Sequence, residues 1–405
     1  MRKGLIGGLV GVTVAFAALT LVGCGEKKEE QSSSTSTTSE STSTASTGSS
    51  TSTATTTTGT TTDSSASSTG TTSTPSTTQE AAAPEGGELH IYNWGNYTNP
   101  ELIKKFEAAY KVKVTLDDYD SNETMLAKIK GGATGYDIVV PSDYMVAVMI
   151  KEGLLEETKP NSMENFKNVD PRWVDVYWDK GRNFTVPWQW GTTAFTVNTE
   201  VYKGDINTYK LIFDPPPELQ GRINMLDDMN EVINAGLRYL NLPRCNKNPE
   251  DLKKLTDLLM GAKKYWRTMD YATIEKLTSK DVDLSQQWNG ASMRVRLQMP
   301  TMKYAYPKEG LTGWMDNVAV LKGAPNMENA KKFQNFVMDP ENAALISNFA
   351  HYANGITGSE KFMDKDMAEA PEIVMPADAP APEFLPPCDE DTVKLYNAIW
   401  TELKK

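Results

Sequence analysis

The chain has 405 residues, 23% of them charged, and a formal net charge of −12. That balance disfavours nucleic acid and suits a cationic ligand. With two histidines, three cysteines and no Cys/His cluster, the sequence argues against a metal site and a Ser-His or Cys-His nucleophile, and it implies no catalytic residue and no cofactor.

Arg2 and Lys3 precede an uncharged apolar run over residues 5–22. A basic start, an apolar core and small residues at the cut mark residues 1–23 as a secretory signal peptide. The ending Leu21-Val22-Gly23-Cys24 resembles the lipobox of bacterial lipoproteins. That resemblance implies cleavage before Cys24 and acylation of its thiol, which anchors a chain to a membrane without spanning it; a plain signal peptide or short membrane anchor is the alternative. Residues 24–84 hold a Ser/Thr tract with almost nothing apolar to bury, read as a disordered tether. The remaining 321 or so residues, about 85–405, exceed one ordinary core, so two lobes are expected. Cys245 and Cys388 form one disulfide or stay free; their neighbours do not decide which.

Strand and helix then alternate. Residues 89–93 read as a strand, 100–110 as a helix, 113–116 as a strand, 122–130 as a helix and 136–140 as a strand buried on both faces. This order predicts an α/β fold with a parallel sheet. Residues 186–198 read as one long β segment interrupted at Gly191. Residues 222–226 follow as a strand, 231–240 and 250–268 as helices, 285–289 as a strand and 290–297 as a helix. Residues 303–306 and 314–321 read as a hairpin or a return strand. Residues 327–354 read as helical with a break at Asp339-Pro340, and 391–404 as a closing helix.

Ligands of open parallel sheets bind outside the carboxyl ends of the strands. The segments there are Trp94-Gly95-Asn96-Tyr97, Pro141-Ser142-Asp143-Tyr144, Asp227-Asp228-Met229-Asn230-Glu231, Trp288-Asn289-Gly290 and Trp314-Met315-Asp316. Aromatic rings and carboxylates dominate, without basic residues or phosphate-binding glycine loops. Aromatic faces attract ammonium by about 0.5–2 kcal/mol each, and carboxylates add charge-assisted hydrogen bonds. Structural readings stand beside each: Asp228 and Glu231 fit a capping box, Trp288 and Trp314 fit a core, Asp143 fits a turn or cap, and Tyr97 fits as cover for the next helix. Recurrence at one sheet edge is the functional signal.

The segments IYNWGNY, YDIVVPSDYMV, VPWQWGTTAFTVN, LDDMNEV, WNGA and GWMDNVAV resemble, in order, those of the spermidine/putrescine-binding proteins of polyamine ABC importers. The resemblance runs through nearly all of residues 88–405. It implies a periplasmic-binding-protein type II-like fold, with residues 85–191 and 317–362 as one lobe and 192–316 and 363–405 as the other. It implies Trp94, Tyr97, Ser142 and Tyr144 on one wall of a cleft, Asp228, Glu231 and Trp288 on the other, and Trp314 and Asp316 on a crossing strand. Tyr352 also matches a family tyrosine. Asp316 and Glu231 are the expected main ammonium partners. Asn96 stands where the family often has Asp or Glu, and Pro386 aligns with a pocket glutamine of some spermidine binders; both changes point to a shorter diamine or another amine. The implied partners are a polyamine, permease and ATPase subunits on other chains, and the membrane through the lipid anchor. The implied state is a monomer, lipid-anchored on the outer surface of the cell membrane or in the periplasm. Alternatives are a binder or sensor for another organic cation, a surface adhesin, and a hydrolase using paired carboxylates such as Asp228 and Asp316. An amine carrying an anionic group would need an arginine in the pocket, for which the sequence offers no clear candidate.

Overall fold

The computed structural model describes residues 84–132 and 135–405. The signal segment, Cys24 and the Ser/Thr tract lie outside the described residues. The strands of the main sheet are β1 Glu88–Trp94, β2 Lys113–Tyr119, β3 Ile138–Val139, β4 Thr185–Asn198, β5 Ile223–Met225, β6 Trp266–Met269, β7 Leu284–Trp288, β8 Met302–Tyr304, β9 Leu311–Val320 and β10 Pro382–Phe384. The principal helices are α1 Pro100–Tyr110, α2 Asn122–Lys130, α3 Asp143–Lys151, α4 Met229–Tyr239, α5 Pro249–Lys263, α6 Asn289–Gln298, α7 Met327–Val337, α8 Pro340–Ala350 and α9 Glu390–Leu403.

The strand order is β2-β1-β3-β9-β4-β7-β5-β6, with β8 beside β4 and β10 beside β9. At one side β2, β1 and β3 are parallel; at the other, β7, β5 and β6 are parallel. Between them run β4 and β9, antiparallel from Thr312↔Thr193 to Ala319↔Thr185. The α/β architecture read from the alternating pattern is therefore the one observed.

The buried apolar residues form two main cores. One draws on Leu89 through Trp188 and Met315 through Ile356, the other on Ala194 through Leu311 and on Tyr396, Ile399 and Leu403. The two long strands feed both. Val186 and Trp188 of β4 lie in the first core, and Ala194, Phe195 and Val197 in the second. On β9, Leu311 belongs to the second core and Met315 to the first.

Local chemistry sets several boundaries. Asn99 caps α1 by accepting from the Glu101 amide, and Pro100 fits the first turn because its missing N–H has no partner there anyway. Asp339 caps α8, whose first residue is Pro340, so the expected break separates two helices. Gly191 does not interrupt β4, which is continuous over 14 residues. A Cβ there would sit 2.4 Å from Asn289 Oδ1 and 2.7 Å from the Trp314 ring. Close packing, not a turn, requires that glycine. The helix expected over residues 250–268 ends at Lys263, and its tail is β6, where Trp266 and Thr268 suit a pleated strand. The hairpin reading of residues 303–306 with 314–321 is overturned. β8 pairs with β4, from Met302↔Asn198 to Tyr304↔Thr196, rather than with β9. Cys245 and Cys388 form a disulfide across 143 residues of sequence.

Candidate functional site

A cavity of about 470 Å³ opens among the strand ends, lined by Trp94, Asn96, Tyr97, Ser142, Tyr144, Asp228, Glu231, Trp288, Trp314, Asp316 and Tyr352. These are the eleven ligand-contact candidates of the sequence, drawn from segments far apart in the chain. The volume falls within the range of small-molecule sites.

Asp316 is its most constrained carboxylate. It lies on β9 two residues from Trp314, so both side chains leave the same face of the strand. Its Oδ2 accepts from the Tyr97 hydroxyl at 2.9 Å and its Oδ1 from the Ser142 hydroxyl at 2.7 Å. The residue is 5% exposed. Burial pushes its carboxyl up to about 7, against the two hydroxyls that hold it down. Ser142 precedes α3 in the N-cap position yet makes no cap hydrogen bond. Its hydroxyl goes to Asp316 instead, forgoing a contact that typically gives about 1 kcal/mol.

On the opposite side, Asp228 caps α4, accepting from the Glu231 amide at 3.0 Å. Only half of a capping box forms. Glu231 Oε1 accepts from the Thr193 hydroxyl at 2.8 Å and does not close the reciprocal bond. Burial raises Glu231 to about 7. It raises Asp228 as well, with the charges of Glu123 and Glu231 adding to the effect. Glu123 spans the two sides, accepting from the Tyr144 hydroxyl at 2.9 Å and from Asn230 Nδ2 at 3.3 Å.

The aromatic surfaces are fixed by their backs. Trp94 donates from Nε1 to the Val140 carbonyl and packs 4.7 Å from the Tyr119 ring. Asn93 Nδ2 donates to the Thr98 hydroxyl and closes the loop that carries Trp94 and Tyr97. Tyr352 meets Tyr97 and Trp314 edge-on at 5.7 and 5.2 Å. A Cβ on Gly290 would come within 2.5 Å of the Tyr352 ring, so glycine is required for that approach. Trp288 stacks on Tyr271, 6.2 Å apart and nearly parallel.

Two sequence expectations change. Asn96 adopts φ 55° at the exposed mouth of the cavity. Asn tolerates this left-handed backbone, which supplies a conformational reason for its presence. Pro386 does not line the cavity, whereas its neighbour Leu385 does. The Pro386 carbonyl accepts from Arg244 Nη1.

The sequence also missed several lining residues. Arg244 and Arg294 reach the cavity, as do Tyr271 and Asp120, and Asp143, which the sequence fitted to a turn or cap, lines it too. This corrects the expectation that no arginine was available. Arg244 sits next to Cys245, so a bridge of 143 residues' separation fixes its surroundings. Arg294 lies on α6, one turn beyond Gly290, and has no carboxylate partner among the described residues. Its i, i+4 spacing from Gly290 on the same helix is the one sequence signal that could have pointed to it.

The profile of the bacterial extracellular solute-binding proteins matches residues 101–377. The chain belongs to the bacterial extracellular solute-binding protein family. This solute-binding protein is 31% identical over 297 residues to the "Spermidine/putrescine-binding periplasmic protein" of Salmonella typhimurium, covering 71% of its own chain and 83% of that one. It is 29% identical over 350 residues to the "Putrescine-binding periplasmic protein SpuD" of Pseudomonas aeruginosa, covering 80% and 94%. Among solved structures, a spermidine/putrescine ABC transporter protein from Listeria monocytogenes superposes with a TM-score of 0.73 at 30% identity, over 78% of this chain and 98% of that one. The family resemblance read from the sequence segments is thereby borne out. The solute-binding protein is an extracytoplasmic binding component of an ABC-transporter type and not an enzyme.

Proposed function

We propose that this protein binds a polyamine, putrescine or spermidine, between two lobes and delivers it to a membrane permease with its ATPase subunits. The lobes are residues 85–191 with 317–362, and 192–316 with 363–405. Asp316 carries the reading: a buried carboxylate, held by Tyr97 and Ser142, faces an aromatic-lined cavity. Such a group is costly without a counter-charge, and an ammonium supplies one. Glu231, with Asp228 beside it, receives the second ammonium. Trp94, Tyr97, Trp288, Trp314 and Tyr352 cover the methylene chain, and Tyr144 and Asn96 border it. The putrescine-binding and spermidine/putrescine-binding relatives agree with this ligand class.

Hinge closure brings the two carboxylate groups onto one ligand. The ligand shifts that equilibrium only by its differential affinity for the closed form. Micromolar binding requires about −8 kcal/mol net, within reach of two buried charge-assisted contacts and several aromatic faces. Acylation of Cys24 tethers the monomer to the outer face of a membrane.

A second reading rests on Arg244 and Arg294, which line the same cavity. They favour an amine that also carries an anionic group. Calorimetric titration with putrescine, spermidine and a 4-aminobutyrate-type amino acid separates the readings. Polyamine binding supports the first, amino-acid binding the second, and binding of neither overturns both.

A further inference from the structure

Asp143 is the one fully buried carboxylate in the cavity lining with an oxygen that has no hydrogen-bond partner. It is 3% exposed. Its Oδ1 accepts from the next amide, that of Tyr144, at 2.8 Å, and its Oδ2 is left open. Position places it beside Asp316: Ser142, the residue before it, forms a backbone bridge with Asp316 and donates its hydroxyl to that carboxylate. A helix-capping explanation covers Oδ1 only. The Tyr177 hydroxyl faces Asp143, but its single proton goes to the Leu385 carbonyl at 2.9 Å. Arg182 lies on the inner side, and its guanidinium is taken up by Trp173, Thr185 and Asn317. Arg244, on the other side, donates to Pro386.

We propose that Asp143 and Asp316 together form a two-carboxylate pole that selects a primary ammonium group over an N-methylated one. The inference rests on the polyamine reading of this cavity. A primary ammonium has three N–H donors. Asp316 has already given one lone pair on each oxygen to a hydroxyl, so it can accept further bonds but cannot easily satisfy three. The Asp143 carboxylate, whose buried Oδ2 has no partner, accepts another. A quaternary ammonium has no N–H to offer. It gains from aromatic faces alone, as in aromatic cages, and leaves Asp143 buried and unsatisfied. The polar pair, not the rings, makes the site discriminate. Burial, with the charge of Asp316 adding to it, holds the Asp143 carboxyl near 8, so the arriving ammonium also displaces its proton.

The mature full chain is titrated calorimetrically with putrescine and with its analogue bearing a trimethylammonium group at each end, in wild type and Asp143→Asn. The expected result is that putrescine binds the variant about tenfold or more weakly, while the analogue loses little. The preference for putrescine over the analogue then falls at least about fivefold. Ligand-free melting of the variant is unchanged or higher, because an unpaired buried carboxyl has been removed. Asp143→Glu, which keeps the charge, retains more of the preference than Asp143→Asn. Unchanged putrescine affinity in Asp143→Asn, or a loss equal for both ligands, overturns the proposal. If the wild type binds neither compound, the polyamine reading itself fails and this inference with it.

Discussion

The Tyr97 hydroxyl donates a 2.9 Å hydrogen bond to Asp316 Oδ2, joining the loop after the first strand to a strand 219 residues later. The loop explains its own aromatic content. Its Tyr is held by a carboxylate that needs donors, and its Trp by the Val140 carbonyl. Removing the hydroxyl in Tyr97→Phe leaves Asp316 with one donor fewer. Because that bond lowers the carboxyl, its loss moves the pH midpoint of ligand binding upward. Affinity at pH 7 falls several-fold, by roughly 1 kcal/mol, measurable by calorimetry across pH.

Acidification weakens binding. Asp316 and Glu231 both stand near 7 in the ligand-free protein, whereas an amine of the lysine type stays protonated to about pH 10. Below pH 7 the ligand must displace protons, and affinity drops up to about tenfold per pH unit for each linked proton. Stability has the opposite sign. These carboxyls are raised above their unfolded values, so their contribution favours the fold below about pH 4 and is lost as pH rises through 7. The ligand-free melting temperature therefore falls between pH 5 and 8 from these groups, and ligand-induced stabilisation is greatest at the upper end. Melting curves with and without putrescine check both signs.

Arg294→Gln tests the charge at the far end. On the polyamine reading it removes a like charge from the cavity, so polyamine affinity rises a few-fold, about 0.5–1 kcal/mol after screening. On the amino-acid reading it abolishes a needed counter-charge and affinity for the amino acid falls at least about tenfold.

Cys245→Ser with Cys388→Ser removes a bridge spanning 143 residues. Loss of such a crosslink costs about 2–5 kcal/mol, seen as a lower denaturant midpoint. The bridge also anchors the segment that carries Leu385 and holds the surroundings of Arg244. Ligand affinity is expected to fall along with stability.

The lining from Trp94, Ser142 and Trp288 was legible because strand ends are where an α/β sheet exposes side chains to a ligand, and strands have a sharp pattern; Trp314 and Asp316 lie in the middle of β9 rather than at its end, and the family resemblance of GWMDNVAV is what marked them. Helices α1 and α2 were legible too, each opening on a good cap: Asn99 for one and Ser121 for the other. Arg244 was not legible. It lies in a loop after α4, and its placement depends on a disulfide and on a carbonyl in the C-terminal segment. Arg294 was hidden by a helix whose hydrophobic pattern looks ordinary. β8 was misassigned to a hairpin because proximity along the chain suggested β9, while the longer β4 offered it an edge. Gly191 was read as a break because glycine weakens strands; the rings packed against it are invisible locally.

Isothermal titration of the mature protein with putrescine and spermidine, repeated on Asp316→Ala, tests the central claim most directly. A saturable one-to-one isotherm near micromolar for the wild type, weakened at least about tenfold in the variant, is the predicted result. No heat from either polyamine at millimolar concentration, or an isotherm unchanged in Asp316→Ala, would contradict it.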